Sequence, residues 1–476
     1  MARRKLSTFE RLQRGERLQR RERRELQRKL EAGDAELKIV HPDAAGIDVG
    51  SASHFVSVPA GRDPEPVREF GSWTADLHKL AEWLKACGIR TVAMQSTGVY
   101  WIALQEALEK AGLEVFLVNA QGTKNLPGRK SDVQECQWLM KLHTYGLLRN
   151  SFRPPDEIRG VRTIWRLRSR FVEEAGSKIQ QIQKALTTMN VQLTNVISDI
   201  SGVTGLAIVR AIVEGERDPR VLAKLRDGRI QASEEEIAHS LEGNWREEVL
   251  FELKHVVEGY DFQQKQIGEC DAEIEKRMGM LSSHPTREQK EGEAGARKKP
   301  AQKPRKNQPG FDLKGELHRI FGVDLTRIDG IHVMTAQVIL TELGPDLSAF
   351  PSEGDFTSWL ELAPRNDITG GRTIRKKARK SKNRVANAFR MAAESLCRSD
   401  SYLGARYRKL RGRMEGQPAV KAMARFLACL VYRLLTKGQE YVDKGAAYFE
   451  QKRKQRDLVN LQRKAAELGL KLVTAR

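Results

Sequence analysis

The chain has 476 residues, with 83 Lys and Arg against 62 Asp and Glu and a formal net charge of +21. At about 100–200 residues per domain, this length allows two to four folded units, and the clustered positive charge favours a nucleic-acid partner over a merely well-solvated basic protein. Because there is no apolar stretch of about 18 residues, no membrane span is expected. The N-terminus lacks the apolar region of a signal peptide, and the five scattered cysteines contain no Cys-x-x-Cys pair. The cysteines therefore support neither a zinc ribbon nor a disulfide framework, and a reduced, cytoplasmic protein is expected.

Residues 1–43 are rich in Arg, Leu, Gln and Glu. They predict a basic N-terminal arm, which is either partly helical or a solvated disordered tail. From residue 44 to 153, short apolar runs bounded by turn residues alternate with segments of helical spacing, in the order β-β-β-α-β-α-β-α. This order predicts a mixed α/β domain.

Strand signals disappear after Pro154. Residues 154–283 have apolar periodicity near 3.5 to 3.6, which predicts long helices in a coiled-coil or bundle arm. Residues 284–310 carry Pro, Gly and basic residues, and predict a flexible linker or a segment that folds on nucleic acid. We expect a compact, mainly α-helical domain over 311–452 and a basic tail over 453–476.

Three acids in the α/β domain are candidates for a metal site. Asp48 lies at the end of the first predicted strand, and Asp132 and Glu135 are spaced i, i+3 on one face of a helix start. Such carboxylates suit Mg²⁺ or Mn²⁺ and the chemistry of two-metal phosphoryl transfer. Each acid alone is more typical of a surface charge, and an acid at a helix start is also favoured by the helix dipole.

The segment Gly128-Arg129-Lys130-Ser131-Asp132 lacks the spacing of a Walker A loop. Arg129 and Lys130 stand beside the acids and are candidates for contact with a DNA phosphate. A second basic segment follows Thr369-Gly370-Gly371. Its candidate nucleic-acid-binding residues, together with the two glycines, are Arg372, Arg375, Lys376, Lys377, Arg379, Lys380, Lys382 and Arg384. A hydroxyl on a glycine turn amid this charge could attack a phosphodiester, although the residues alone favour a plain hydroxyl in a DNA-contacting loop.

Several motifs, in this order, resemble the IS110-type insertion-sequence transposases, in particular their IS1111-like branch. They are GIDVGSASHFVSV, AMQSTGVYW, LVNAQGTKNLPGRKSDVQECQWLMKLHTYGLLRNSFRPP, RIDGIHVMTAQVILTELG and ITGG. The resemblance covers about Asp43 to Lys452. It implies a RuvC-like N-terminal domain with the RNase H fold and a DEDD tetrad, then a coiled-coil arm. It further implies a C-terminal transposase domain whose serine becomes covalently linked to DNA.

The resemblance also implies activity and partners. It implies a DNA transposase or recombinase that cleaves and exchanges donor and target DNA with Mg²⁺ or Mn²⁺. A bridge RNA from the noncoding end of the element would specify both DNAs. The implied assembly is a homo-oligomer, a dimer or a tetramer, in the bacterial cytoplasm at the nucleoid.

Three positions depart from the family pattern. Asp48 matches the first acid and Asp132 the third, whereas the second position holds Gln95, the fourth holds Glu135 instead of Asp, and Thr369 replaces the serine. Gln95 offers only a neutral oxygen, and the β-methyl group of threonine restricts its approach to a phosphate. We expect an active variant; the alternatives are a RuvC-like junction-resolving nuclease that uses water and a catalytically weakened nucleic-acid-binding copy.

Overall fold

The computed structural model describes Glu25, Arg28 and residues 38–96, 98–118, 131–285, 306–369, 372–377, 383–414, 416–438 and 445–470. The predicted residues Arg129, Lys130, Gly370, Gly371, Arg379, Lys380 and Lys382 lie outside the described residues, as does most of the predicted N-terminal arm. The chain divides into two compact units, residues 1–153 and 154–476.

The first unit is built on a five-stranded mixed sheet. Its strands are β1 (Ala44–Val49), β2 (Ser53–Ser57), β3 (Val67–Gly71), β4 (Thr91–Gln95) and β5 (Glu114–Val118). Their spatial order is β3-β2-β1-β4-β5. Strand β1 pairs antiparallel with β2 and parallel with β4, which in turn pairs parallel with β5.

The described residues of this unit also form three helices: α1 (Thr74–Ala86), α2 (Trp101–Lys110) and α3 (Asp132–Thr144). The predicted order β-β-β-α-β-α-β-α is therefore confirmed. Ala45, Ile47 and Val49 of β1 share one core with the buried leucines of α1 and α2. Because successive strand residues point to opposite faces, Gly46 and Asp48 point to the other face of the sheet.

Helix α3 packs against that other face at Gly46. A Cβ atom on Gly46 would lie 2.2 Å from the carbonyl oxygen of Cys136 and 2.3 Å from the amide nitrogen of Met140. Both atoms belong to the helix backbone, so no side-chain rotation can make room. Only glycine allows this close approach of helix and strand.

We expect Gly46→Ala to lower the free energy of unfolding by about 3 kcal/mol, the upper end of the usual cost of overpacking. Gly176→Ala is the control, because a Cβ atom there meets nothing within 4 Å in the middle of a long helix. That change should stabilise the protein by about 0.5–1 kcal/mol. Urea denaturation measures both, and equal midpoints for the two variants would contradict the close packing at Gly46.

The first part of the second unit contains two long antiparallel helices. They are α4 (Asp156–Thr188) and, after four shorter helices, α9 (Glu247–Met280). Arg168 pairs with Asp271, and farther along α4 the side chain of Lys178 lies against Gly259. The predicted extended helices are thus present, while a coiled coil stays a prediction. Four shorter helices connect them: α5 (Leu193–Val196), α6 (Val203–Val213), α7 (Pro219–Ala223) and α8 (Glu234–Ser240).

The ion pair between Arg168 and Asp271 is buried, with side-chain exposures of 3% and 17%. The Arg168 guanidinium donates to both carboxylate oxygens. Asp271→Ala would leave a buried positive charge, and we expect a loss of about 3–5 kcal/mol. Asp261→Ala is the matched control, because its pair with Arg210 is half exposed and should be worth about 0–1 kcal/mol. Similar urea midpoints for the two variants would contradict this difference.

The rest of the second unit is mainly helical. Its helices are α10 (Leu313–Phe321), α11 (Val333–Leu343), α12 (Glu353–Trp359), α13 (Arg384–Ser395), α14 (Tyr402–Arg413), α15 (Gln417–Lys437) and α16 (Gly445–Glu467), with short 3₁₀ turns at Leu325–Arg327 and Leu396–Arg398. In the described part of the chain, no helix has the length and apolar content that crossing a membrane requires.

One element of this unit was not predicted from the sequence. Strands β6 (Arg365–Thr369) and β7 (Arg372–Lys377) form an antiparallel hairpin. Thr369 pairs with Arg372, so two residues, both glycines, separate the paired ends. This two-residue Gly-Gly spacing is typical of hairpins, and the β-branched residues on either side favour strands.

Candidate functional site

Asp48 and Gln95 lie on adjacent parallel strands at the carboxyl end of the sheet. Ile47 of β1 pairs with Met94 of β4, and Asp48 and Gln95 are the next residues on each strand. Asp48 is half-buried and points to the face that carries α3, as Gly46 does. Gln95 reaches the same face, because Val92 and Met94 of its strand belong to the core on the opposite side.

Glu135, in the first turn of α3, is in direct contact with Gln95. The side-chain amide of Gln95 donates a hydrogen bond from Nε2 to Oε1 of Glu135. Gln95 is only 5% exposed, so a second carboxylate there would put two negative charges together away from water. The neutral amide instead supplies a donor to Glu135, which accounts physically for the pairing of these two residue types.

Asp132 is the first residue of α3 and is exposed. The hydroxyl of Ser131 accepts a hydrogen bond from the backbone N–H of Gln134 and so caps the helix. Burial, with smaller contributions from the negative charges of Asp48 and Asp132, raises the pKa of the Cys136 thiol to about 12. The Cys136 thiol of α3 is thus within electrostatic range of both carboxylates.

The donor chemistry of this edge fits a hard divalent cation. Asp48, Asp132 and Glu135 supply carboxylate oxygens, and Gln95 carries a neutral carbonyl oxygen, the ligand types that Mg²⁺ and Mn²⁺ take. Among the described residues, no three His, Cys, Asp or Glu side chains are grouped as metal ligands are. The structure therefore brings Gln95 and Glu135 into contact, with Asp48 and Asp132 near them. In the described residues these side chains are not arranged as a complete set of metal ligands.

The remaining predicted site residues that the structure describes belong to the second unit. Thr369 is the last residue of β6, and Arg372, Arg375, Lys376 and Lys377 lie along β7. Arg384 is the exposed first residue of α13. The hairpin thus carries the candidate hydroxyl and four of the predicted basic residues within two adjoining strands.

A histidine cluster at the opposite end of α3 was missed by sequence reasoning. His143 is fully buried, its Nε2 lies 2.8 Å from the hydroxyl of Thr91, and its ring stacks on His41 at 4.6 Å. Burial, and then the neighbouring His41, lower the pKa of His143 to about 3. Only its helical position in an apolar stripe could have indicated this burial.

This lowered pKa predicts an acid-sensitive fold. Unfolded His143 binds a proton near pH 6.5, whereas the folded form does so near pH 3, so stability falls as the pH drops from 6.5 towards 3. We expect a loss of about 2 kcal/mol between pH 7 and pH 5. His143→Phe should flatten this dependence, whereas His78→Gln, at an exposed position of α1, should not. Urea midpoints at both pH values test this, and an equal slope in His143→Phe would contradict it.

Two family models match the chain. Residues 45–191 match a transposase model, DEDD_Tnp_IS110, and residues 324–408 match that of the transposase IS116/IS110/IS902 family. A search of curated proteins found no match. The first matched range contains the five-stranded sheet and the candidate acids, which is consistent with a RuvC-like, RNase H-like fold; the second contains the hairpin with Thr369. The chain therefore belongs to the IS110 family of transposases and is a DNA transposase or recombinase.

Proposed function

We propose that this transposase cleaves and exchanges DNA strands through a covalent link to Thr369, with a divalent metal at the acids of the first unit. The observation that carries the proposal is the convergence of Asp48, Gln95 and Glu135 on one face of the sheet. Such sets of oxygen ligands at the end of strands and the start of a helix serve phosphoryl transfer.

Within this proposal, Asp48, Asp132 and Glu135 hold Mg²⁺ or Mn²⁺, and Gln95 contributes a neutral oxygen or positions Glu135. When bound, the metal supplies positive charge that stabilises the reacting phosphate oxygens. The hydrogen bond from Gln95 keeps the Glu135 carboxylate turned toward the end of β4. Asp132, at the exposed helix start, stays accessible to solvent and substrate.

Thr369 supplies the nucleophile. Its hydroxyl loses a proton and attacks phosphorus, a bond forms from Oγ1 to phosphorus, and the bond from phosphorus to the 3′ oxygen breaks. The departing 3′ oxygen takes up a proton. The 3′ hydroxyl of a second strand then attacks the phosphothreonine and restores the threonine hydroxyl, so the number of phosphodiester bonds is conserved. The basic residues of β7, beside the strand end that bears Thr369, would hold DNA phosphates.

The partners that we propose are donor DNA, target DNA and a bridge RNA, as expected of the IS1111-like branch. The net charge of +21 supports binding of long polyanions. We further propose a homo-oligomer, a dimer or a tetramer, with residues 154–283 as a coiled-coil arm, 284–310 as a basic linker and 311–452 as the transposase domain.

A denaturing gel tests the proposed function. The purified protein, with its co-purified nucleic acid, is incubated with Mg²⁺ or Mn²⁺ and labelled DNA that carries the ends of its element. A labelled band that migrates with the denatured protein is the expected result. Hydrolysed ends without such a band would favour a junction-resolving nuclease that uses water. Salt-dependent binding without any cleavage would favour the catalytically weakened copy.

A further inference from the structure

A cleft of about 470 Å³ lies between α4, α11 and α13, all within the second unit. Trp165 of α4, Met334 and Val338 of α11 and Met391 of α13 give it an apolar side. Met391 is 60% exposed, so a large apolar side chain is left open to water at the mouth of the cleft. A flat, apolar ligand group that covered this side would be stabilised by removing that surface from water.

The polar side of the cleft is cationic. Arg384 and Arg390 of α13 line it together with Asn387, whose side-chain oxygen accepts a hydrogen bond from Arg390 at 2.9 Å. Glu342, the acid in the wall, accepts hydrogen bonds from Nε and Nη2 of Arg166, at 2.9 and 2.6 Å. Its charge is thereby neutralised, so the two lining arginines leave the cleft positive.

An apolar side and a cationic rim together match the two halves of a nucleotide. We propose that this cleft takes one unpaired nucleotide of a bound nucleic-acid strand, with the base against Trp165, Met334 and Met391 and the phosphate at Arg384. The volume is within the range of small-ligand pockets. Bases in an intact duplex are stacked and cannot enter such a cleft, whereas an unpaired base can pack on apolar side chains.

The position of the cleft in the chain supports this occupant. The basic residues of β7 and the further basic residues up to Lys382 immediately precede Arg384 in the sequence. A strand held by this run would have its next phosphate contact at the start of α13. The inference rests on the proposed function in that the protein must bind nucleic acid, and it adds a specific site for an unpaired nucleotide.

Filling the cleft tests the inference. Ala388→Trp adds an indole to a lining residue of α13 without changing charge; Ser395→Trp, at an exposed position of the same helix, is the control. Fluorescence anisotropy of the full chain is measured with labelled oligothymidine, oligouridine and duplex DNA of equal length. Ala388→Trp should raise the Kd of a single-stranded probe about 5- to 150-fold, as loss of one base contact does, and leave duplex binding unchanged.

The two single-stranded probes show whether DNA or RNA supplies the nucleotide. Equal weakening of single-stranded and duplex binding, or no weakening in Ala388→Trp, would overturn the cleft as a nucleotide site while leaving the proposed function intact. If the wild-type protein bound none of the three probes, both the cleft and the proposed function would be wrong.

A second measurement does not depend on how the variant folds. An oligonucleotide with 5-iodouracil in place of each thymine is bound to the wild-type protein and irradiated, and the crosslinked peptides are identified by mass spectrometry. We expect crosslinks to peptides that contain Trp165, Met334 or Met391. Crosslinks confined to other parts of the chain would contradict the proposal.

Discussion

Replacing Thr369 with Val is expected to lower the yield of the covalent protein–DNA adduct on the order of 10⁴-fold or more, as loss of a nucleophile does in other covalent enzymes. Thr369 ends β6 and pairs with Arg372 across the hairpin. Valine has the same branched shape and a high preference for strands, so the hairpin is kept and only the hydroxyl is lost. The adduct is quantified on a denaturing gel with labelled DNA.

Two further variants separate the hydroxyl from its surroundings. Thr369→Ser keeps the hydroxyl and removes the β-methyl group, so we expect an adduct yield equal to or above that of the wild type. Thr373→Val removes a different hydroxyl of the same hairpin, on β7 opposite Ile368, and should leave the adduct unchanged. An undiminished adduct in Thr369→Val would show that another residue is the nucleophile.

The first unit could be predicted well because its pattern is local. In β1, Ala45, Ile47 and Val49 pack in one core, while Gly46 and Asp48 point to the other face. Short apolar strands and helices of regular spacing follow in turn, so the element order needs no knowledge of long-range contacts.

The hairpin was missed for the opposite reason. Strand β6 has the sequence RNDIT and β7 has RTIRKK, so neither shows a repeated apolar face. Their pairing with each other across two glycines, and not an amphipathic pattern, identifies them as strands. The sequence therefore indicated the glycine turn and the basic run, but not the antiparallel pairing of the two strands.

The site was predictable as a set of residue types and not as a set of contacts. A strand end and a helix start indicated Asp48, Asp132 and Glu135. The hydrogen bond from Gln95 to Glu135 depends on the parallel register of β1 with β4 and on the packing of α3 at Gly46. These contacts join residues far apart in the sequence, as does the pairing of Arg166 with Glu342, and no local pattern encodes them.

Asp48→Asn is expected to lower the rate of DNA cleavage about 10³-fold, because a metal ligand that stabilises the reacting phosphate is worth several kcal/mol. Asparagine has nearly the same shape as aspartate, so the packing of β1 against α3 should be kept. We expect a large effect because Gln95 is already neutral: with Asp48 replaced, two of the four predicted site positions, Asp132 and Glu135, would carry negative charge. Cleavage is measured at saturating Mg²⁺.

Binding and cleavage should respond differently to this change. Because we propose that the basic residues make the contacts to DNA phosphates, we expect Asp48→Asn to bind DNA with the affinity and salt dependence of the wild type. Glu106→Gln, which removes an exposed carboxylate from α2 of the same unit, should alter neither property. Unchanged cleavage in Asp48→Asn would remove the acids of the first unit from the chemistry. Loss of cleavage with intact binding would distinguish a metal-dependent site from a nucleic-acid-binding copy, because only the former requires the Asp48 carboxylate.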